Sequence, residues 1–199
     1  MTARIVAAFD VDGTLTRRDS LLPFLTGLVG RRRVATALAR AAFGPPGRDA
    51  AKERLLVGLL RDRPFTEVAT AGREYGNRLA ATGITEPMRH RLAWHRTEGH
   101  EVVLVSASLA CYLEPAAEAL GIATVLSTRL AVDAAGQCTG RLEGGNCRGP
   151  EKAHRLRTHL GSGPVELWAY GDSRGDDAML ALADHAVRVR RGVPSVKPR

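Results

Sequence analysis

Nowhere does this sequence carry an apolar run long enough to cross a bilayer, which takes about 20 residues, and no signal peptide precedes its first acidic residues. Cysteine is sparse. Cys111, Cys138 and Cys147 have no Cys-x-x-Cys spacing, which excludes the common thiolate metal sites. Their odd number, in a chain opening without a signal, leads us to expect free thiols packed in a cytoplasmic protein. Aromatic residues make up only 5% of the chain, and the lysines are Lys52, Lys152 and Lys197, so the net charge of +8 rests on arginine. Those arginines cluster only at Arg31-Arg32-Arg33 and between residues 188 and 199, without interleaved aromatics, so a nucleic-acid partner is not expected. Repeats and low-complexity segments are absent as well, which sets aside solenoids and linkers. What remains is a chain of 199 residues, 44% hydrophobic, long enough for one α/β domain carrying a smaller insertion.

The organising stretch is Phe9-Asp10-Val11-Asp12-Gly13-Thr14-Leu15-Thr16, preceded by the apolar residues Ile5 to Phe9. Such a run reads as a parallel strand buried on both faces. Gly13 allows a sharp exit, so Asp10 and Asp12 fall in the crevice at a strand's carboxyl end, where open α/β sheets bind ligands. Two aspartates one residue apart repel unless a cation lies between them. A calcium loop does not fit: its sixth position needs glycine and its twelfth glutamate, whereas Leu15 occupies the sixth and Gly13 the fourth.

From residue 17 to 84 the pattern is helical, with no convincing strand. Asp19-Ser20 can cap a helix through Leu28; Arg31 to Phe43 and Asp49 to Leu60 follow, and Pro64 opens a fourth helix to Gly83. Beyond Thr85-Glu86-Pro87, strands alternate with helices. Val102 to Val105, Ile122 to Leu126, Val165 to Tyr170 and Ala186 to Val189 read as strands, with a hairpin around residues 133–136 and a kink or restart expected at Pro115. The tail from Val193 is expected to fray. Alternation implies a parallel sheet with helices on both faces.

Three further signals fall where this sheet places a site. Ser106 ends the second strand, so its hydroxyl and the N–H groups of Ala107 and Ser108 at the next helix N-terminus can hold an anion. Lys152 can neutralise a phosphoryl oxygen and keep Asp10 ionised. Gly171-Asp172-Ser173-Arg174-Gly175-Asp176-Asp177 closes the fourth strand with hard oxygen ligands, which suit Mg²⁺ better than Zn²⁺. Alone, each is ordinary: a helix cap, a surface lysine, a charged turn. Their joint order is the signal.

In that order the chain resembles the haloacid dehalogenase superfamily, whose four motifs match FDVDGTLT, the Ser106 of VLVSAS, Lys152 and GDSRGDDAML. A helical insertion after the first motif is similar to the cap of its phosphoserine-phosphatase-like subfamily. The resemblance implies a three-layer, Rossmann-like α/β core over residues 1–16 and 85–199, with a helical cap over residues 17–84. It implies an Asp10 nucleophile forming an aspartyl-phosphate, ionised at the ordinary aspartate pKa of about 3.9, and Asp12 as acid and then base. Mg²⁺ would be held by Asp10, the Asp12 carbonyl and Asp172, with either Asp176 or Asp177 ordering a metal-bound water. Gly13, Thr14, Ser106, Ala107, Ser108 and Lys152 would surround the substrate phosphate. Where some phosphoserine phosphatases have asparagine before the last motif aspartate, this chain has Gly175, and their cap arginine aligns with Leu56, two residues from Arg54. Asp19 and Arg54 are therefore the cap candidates for specificity. The expected activity is Mg²⁺-dependent hydrolysis of a small phosphorylated metabolite, an amino-alcohol, amino-acid or sugar phosphate. A lipid phosphate taken at a membrane surface through residues 20–43, a phosphotransferase, and a catalytically silent binding module stand as alternatives.

Overall fold

The computed structural model describes residues 4–195. Strand β1 (Arg4–Phe9) is buried on both faces over its last four residues. By the two-residue period of a strand, Val6 and Ala8 enter one apolar core, while Ala7 and Phe9 enter the other. β2 (Glu101–Leu109) divides its side chains likewise, Val103 and Val105 against Val102 and Leu104. β3 (Thr124–Val132), β4 (Cys138–Glu143), β5 (Val165–Gly171), β6 (His185–Arg190) and β7 (Val193–Pro194) complete the sheet in the order β4-β3-β2-β1-β5-β6-β7. β1, β2, β3, β5 and β6 run parallel, and the edge strands β4 and β7 pair antiparallel. The architecture is the α/β fold expected, with the order reversing at β1, whose neighbours are β2 and β5. Asp10 therefore stands at the crevice such a reversal opens.

Between β1 and β2 come α1 (Leu21–Val29), α2 (Arg31–Ala41), α3 (Arg48–Leu60) and α4 (Phe65–Arg78), a wider turn at Leu79–Gly83, and α5 (Glu86–Thr97). α6 (Ala110–Ala119), α7 (Pro150–Leu160) and the short α8 (Asp177–Leu180) follow later strands. Leu156 of α7 and Met179 of α8 cover one face of the sheet; Met88 of α5 and Tyr112 of α6 cover the other, in a core that continues into Phe24, Leu25 and Leu56 of the inserted helices. Helices α1 to α4 form a cap-like insertion that α4 holds against α6. Gly72 and Gly76, one turn apart, lie so close to α6 that a Cβ would come within 2.3 Å of the Cys111 carbonyl oxygen and 2.2 Å of that of Tyr112.

Three local expectations change. β2 continues past Val105 to Leu109, because its pairing with β3 slips between Ser106 and Leu109 and accommodates Ala107 and Ser108 as a bulge. Those two N–H groups accordingly lie before α6 and not at its N-terminus. α6 carries on through Pro115 without a restart, the missing N–H leaving the Cys111 carbonyl free to face Gly72. The tail does not fray at once, since Val193 pairs with Arg190; residues 196–199, and with them Lys197, lie outside the described residues. Among the described residues no helix is long and apolar enough to cross a membrane.

Candidate active site

Asp10 continues β1 by one rung, its N–H donating to the Tyr170 carbonyl at 2.9 Å. The chain then turns within five residues: the Thr16 N–H closes onto the Val11 carbonyl at 2.9 Å, and Gly13 takes φ +83°, a conformation costly for any residue with a Cβ. Gly13 is needed for a second reason. A Cβ there would stand 2.2 Å from Asp172 Oδ2, so the motif turn and the end of β5 are fitted directly to each other.

Lys152 reaches the same point from the first turn of α7, opened by Pro150 where proline costs no hydrogen bond. Its side chain is buried, and Nζ donates to Asp10 Oδ1 and Asp176 Oδ1, both at 2.5 Å. Asp176 is fixed from behind by the N–H and hydroxyl of Ser173, each 3.0 Å from Oδ2. Asp10, Asp172 and Asp176 each offer a carboxylate oxygen, all within 4.8 Å of one another. Asp177, by contrast, faces Arg188 at the surface, so of the adjacent pair it is Asp176 that stands at this point.

The burial changes the acid–base reading. Desolvation pushes the Asp10 carboxyl up to about 7, against the pull of Lys152, so it is not the ordinary aspartate of pKa about 3.9 that the sequence suggested. Asp10 needs the neighbouring positive charge to be ionised. Desolvation also opposes the Lys152 charge, but the two carboxylates outweigh it and hold the ammonium above its usual range. For Asp176 the lysine and the Ser173 donors outweigh burial and lower the pKa.

Asp12 has different company. Its Oδ1 accepts the Ser20 N–H at 3.0 Å and its Oδ2 the Ser108 hydroxyl at 2.8 Å. Burial, then the nearby Asp19, raise it to about 6, with both serine donors pulling the other way.

The remaining sequence candidates divide. Ser106, Ala107, Ser108, Gly13 and Asp19 line the cavity in front of Asp10. The Ser108 N–H, however, is already given to Ser106 Oγ at 3.1 Å, so the bulge and not an open helix end shapes this wall. Thr14 is fully buried and away from the cavity lining, because the turn directs it into the protein. Arg54 also falls outside the cavity: its Nε donates to the Ala41 carbonyl at 3.0 Å, on the far side of α3. On the cap helices the cations that do line the cavity are Arg48 and Lys52; Lys52 stands two residues, about half a turn, before Arg54 on α3. Its Nζ donates to the Ala107 carbonyl at 2.5 Å and to Asn146 Oδ1 at 2.8 Å, and Asn146 in turn donates to Asp49 at 2.6 Å. Burial lowers Lys52 to about 8 against the attraction of Asp12 and Asp49. In a chain with three lysines, the rarity of Lys52 was the available signal.

Comparison with known proteins agrees with this geometry. Residues 7–181 match the family model for haloacid dehalogenase-like hydrolases. The protein CicA of Caulobacter vibrioides is 32% identical over 96% of this chain and 89% of its own length. A probable phosphatase of Mycobacterium tuberculosis is 30% identical over 92% of this chain and 68% of its own length. Among solved structures, a phospho-aspartyl intermediate analogue of phosphoserine phosphatase superposes with a TM-score of 0.61 at 21% identity, covering 92% of this chain and 84% of that one. That last likeness is one of fold.

Proposed function

Since the chain belongs to the haloacid dehalogenase-like hydrolase family, we propose that it hydrolyses phosphate monoesters in two steps through an aspartyl-phosphate on Asp10. The observation that carries this reading is the contrast in partners between its two motif aspartates: Asp10 is joined to the Lys152 ammonium at 2.5 Å, and Asp12 is held only by neutral hydroxyl and N–H donors. A carboxylate paired with a buried ammonium suits a nucleophile, and one without a cation at hand suits an acid–base.

In the first step a carboxylate oxygen of Asp10 attacks phosphorus and the ester oxygen departs with the proton of Asp12. In the second, Asp12 takes a proton from the water that attacks phosphorus, inorganic phosphate leaves, and the Asp10 carboxylate is restored. Lys152 holds Asp10 on line and offsets the charge of the transferring phosphoryl group, as do the polar groups of Ser106 to Ser108.

The three carboxylates form an all-oxygen donor set, the chemistry that Mg²⁺ takes, and the absence of a Cβ on Gly13 is what lets Asp172 approach it. Asp10, Asp172 and the Asp12 carbonyl would hold the ion, with Asp176 behind them. When bound, it supplies positive charge to the phosphoryl oxygens. Support also comes from the mycobacterial relative, itself described as a probable phosphatase.

The test is phosphate release from p-nitrophenyl phosphate by the wild-type protein with Mg²⁺, with EDTA, and by Asp10→Asn. Release with Mg²⁺ alone supports the reading; equal release by Asp10→Asn removes the nucleophile.

A further inference from the structure

The cavity in front of Asp10 extends well beyond a phosphoryl group. Its volume is about 680 Å³, in the range that encloses most of a drug-sized ligand, whereas a three-carbon phosphate ester occupies only its floor. Above that floor the cap contributes an apolar stretch of wall, Leu21 and Leu22 of α1, Leu38 and Ala41 of α2, Ala42, and Leu55 of α3, bordered by Arg48, Asp49 and Lys52 of α3. Leu22 and Leu38 are 38% and 40% exposed. Covering them with apolar ligand atoms is favourable.

The acidic groups and the lysine that the cap brings to this wall are already engaged. Asp19 Oδ1 accepts the Leu22 N–H at 3.1 Å, Asp49 Oδ1 accepts Asn146 at 2.6 Å, and Lys52 is spent on Ala107 and Asn146. What stays open is cationic. Arg17, Arg18 and Arg48 stand on the cavity wall, and the first two, with Arg190 and Arg191, border the adjoining cleft. Among the described residues none of these five arginines has a carboxylate partner. A positive mouth draws in a phosphate head, and an apolar wall then favours a chain behind it.

We infer that the substrate is an amphiphilic phosphomonoester, a phosphate head on a single apolar chain, whose chain lies along the wall of Leu21, Leu22, Leu38 and Leu55. The inference rests on the phosphomonoesterase reading above and names its leaving group. It replaces the polar metabolite expected from the sequence by an apolar one.

The experiment measures kcat/KM for n-alkyl phosphates from ethyl to dodecyl, kept monomeric, beside phosphoserine and a sugar phosphate. Affinity of the Asp10→Asn protein for the same alkyl series is measured by calorimetry. The expected result is a rise of about two- to four-fold per methylene until the wall is filled, the upper figure corresponding to about 0.8 kcal/mol per buried CH₂. Leu38→Asp should flatten that slope and Leu38→Met should keep it, the slope within each variant being the readout. Lysophosphatidate offered as monomers and in phosphatidylcholine vesicles separates a soluble from a membrane source, and hydrolysis from either supports the class. A flat series, or preference for phosphoserine or the sugar phosphate, overturns the inference while leaving the phosphatase intact. Chain-length-dependent binding without hydrolysis of any ester would uphold the cavity's ligand class and refute the reaction instead.

Discussion

Gly13 and Asp172 are fitted directly against each other: a Cβ on Gly13 would sit 2.2 Å from Asp172 Oδ2. Two motifs separated by most of the chain thus meet through an atom that is missing. Gly13→Ala should cost about 1–2 kcal/mol of stability through the positive φ alone, and should displace Asp172. Its expected signature is weakened Mg²⁺ binding in a titration by calorimetry, together with a lower melting temperature. Unchanged Mg²⁺ affinity would show that Asp172 is not a ligand.

The raised pKa of Asp12 sets a pH dependence that varies with the leaving group. As an acid it must be protonated, so kcat/KM for an alkyl phosphate should fall as pH rises above about 6, set against the ionisation of Asp10 near 7, which acts in the opposite sense on every ester alike. With p-nitrophenyl phosphate, whose leaving group needs little help, the fall should be shallower. Ser108→Ala removes a donor that lowers the Asp12 pKa, so the alkaline fall should move to higher pH. Asp12→Asn should slow alkyl phosphates by about 100-fold or more, and p-nitrophenyl phosphate less. Identical losses on both esters would contradict the acid role.

Close to Asp10 lies a buried histidine whose lowered pKa links stability to pH. His95 Nε2 is 2.8 Å from the hydroxyl of Tyr170, the residue whose carbonyl receives the Asp10 N–H, and Tyr170 stacks on Phe9 at 4.3 Å. Burial, then His100 and Arg91, lower the His95 pKa from 6.5 to about 3. Below pH 6.5 the unfolded chain takes up a proton that the folded protein refuses, so this stabilisation is complete above 6.5 and is lost as pH falls toward 3. The slope approaches 1.36 kcal/mol per pH unit at most. Asp10 and Asp12, whose pKa values are raised, act in the opposite sense, so the comparison is with His95→Gln. The variant should be less stable at pH 7 by about 1 kcal/mol, with the gap narrowing toward pH 4 in denaturant melts. A constant gap would contradict the assignment.

How far the sequence disclosed the site follows from which interactions are local. β1 and the Gly13 turn are set by residues within a few positions, and both were legible. So was the joint order that brings Asp10, Lys152, Asp172 and Asp176 together. The bulge at Ala107 and Ser108 was not, since it arises from pairing with β3, and neither was the burial that raises Asp10. Arg54 was assigned by register along a helix whose rotation only packing determines. Against the rest of the cap, that rotation turns Lys52 toward the site and Arg54 away from it.

The most direct measurement is an acid quench of the wild-type protein within the first turnover of a ³²P-labelled monoester, followed by mapping of the labelled peptide. The account predicts a hydroxylamine-sensitive acyl-phosphate on Asp10, absent from Asp10→Asn. Turnover with no labelled protein, or with label on a residue other than Asp10, would contradict it.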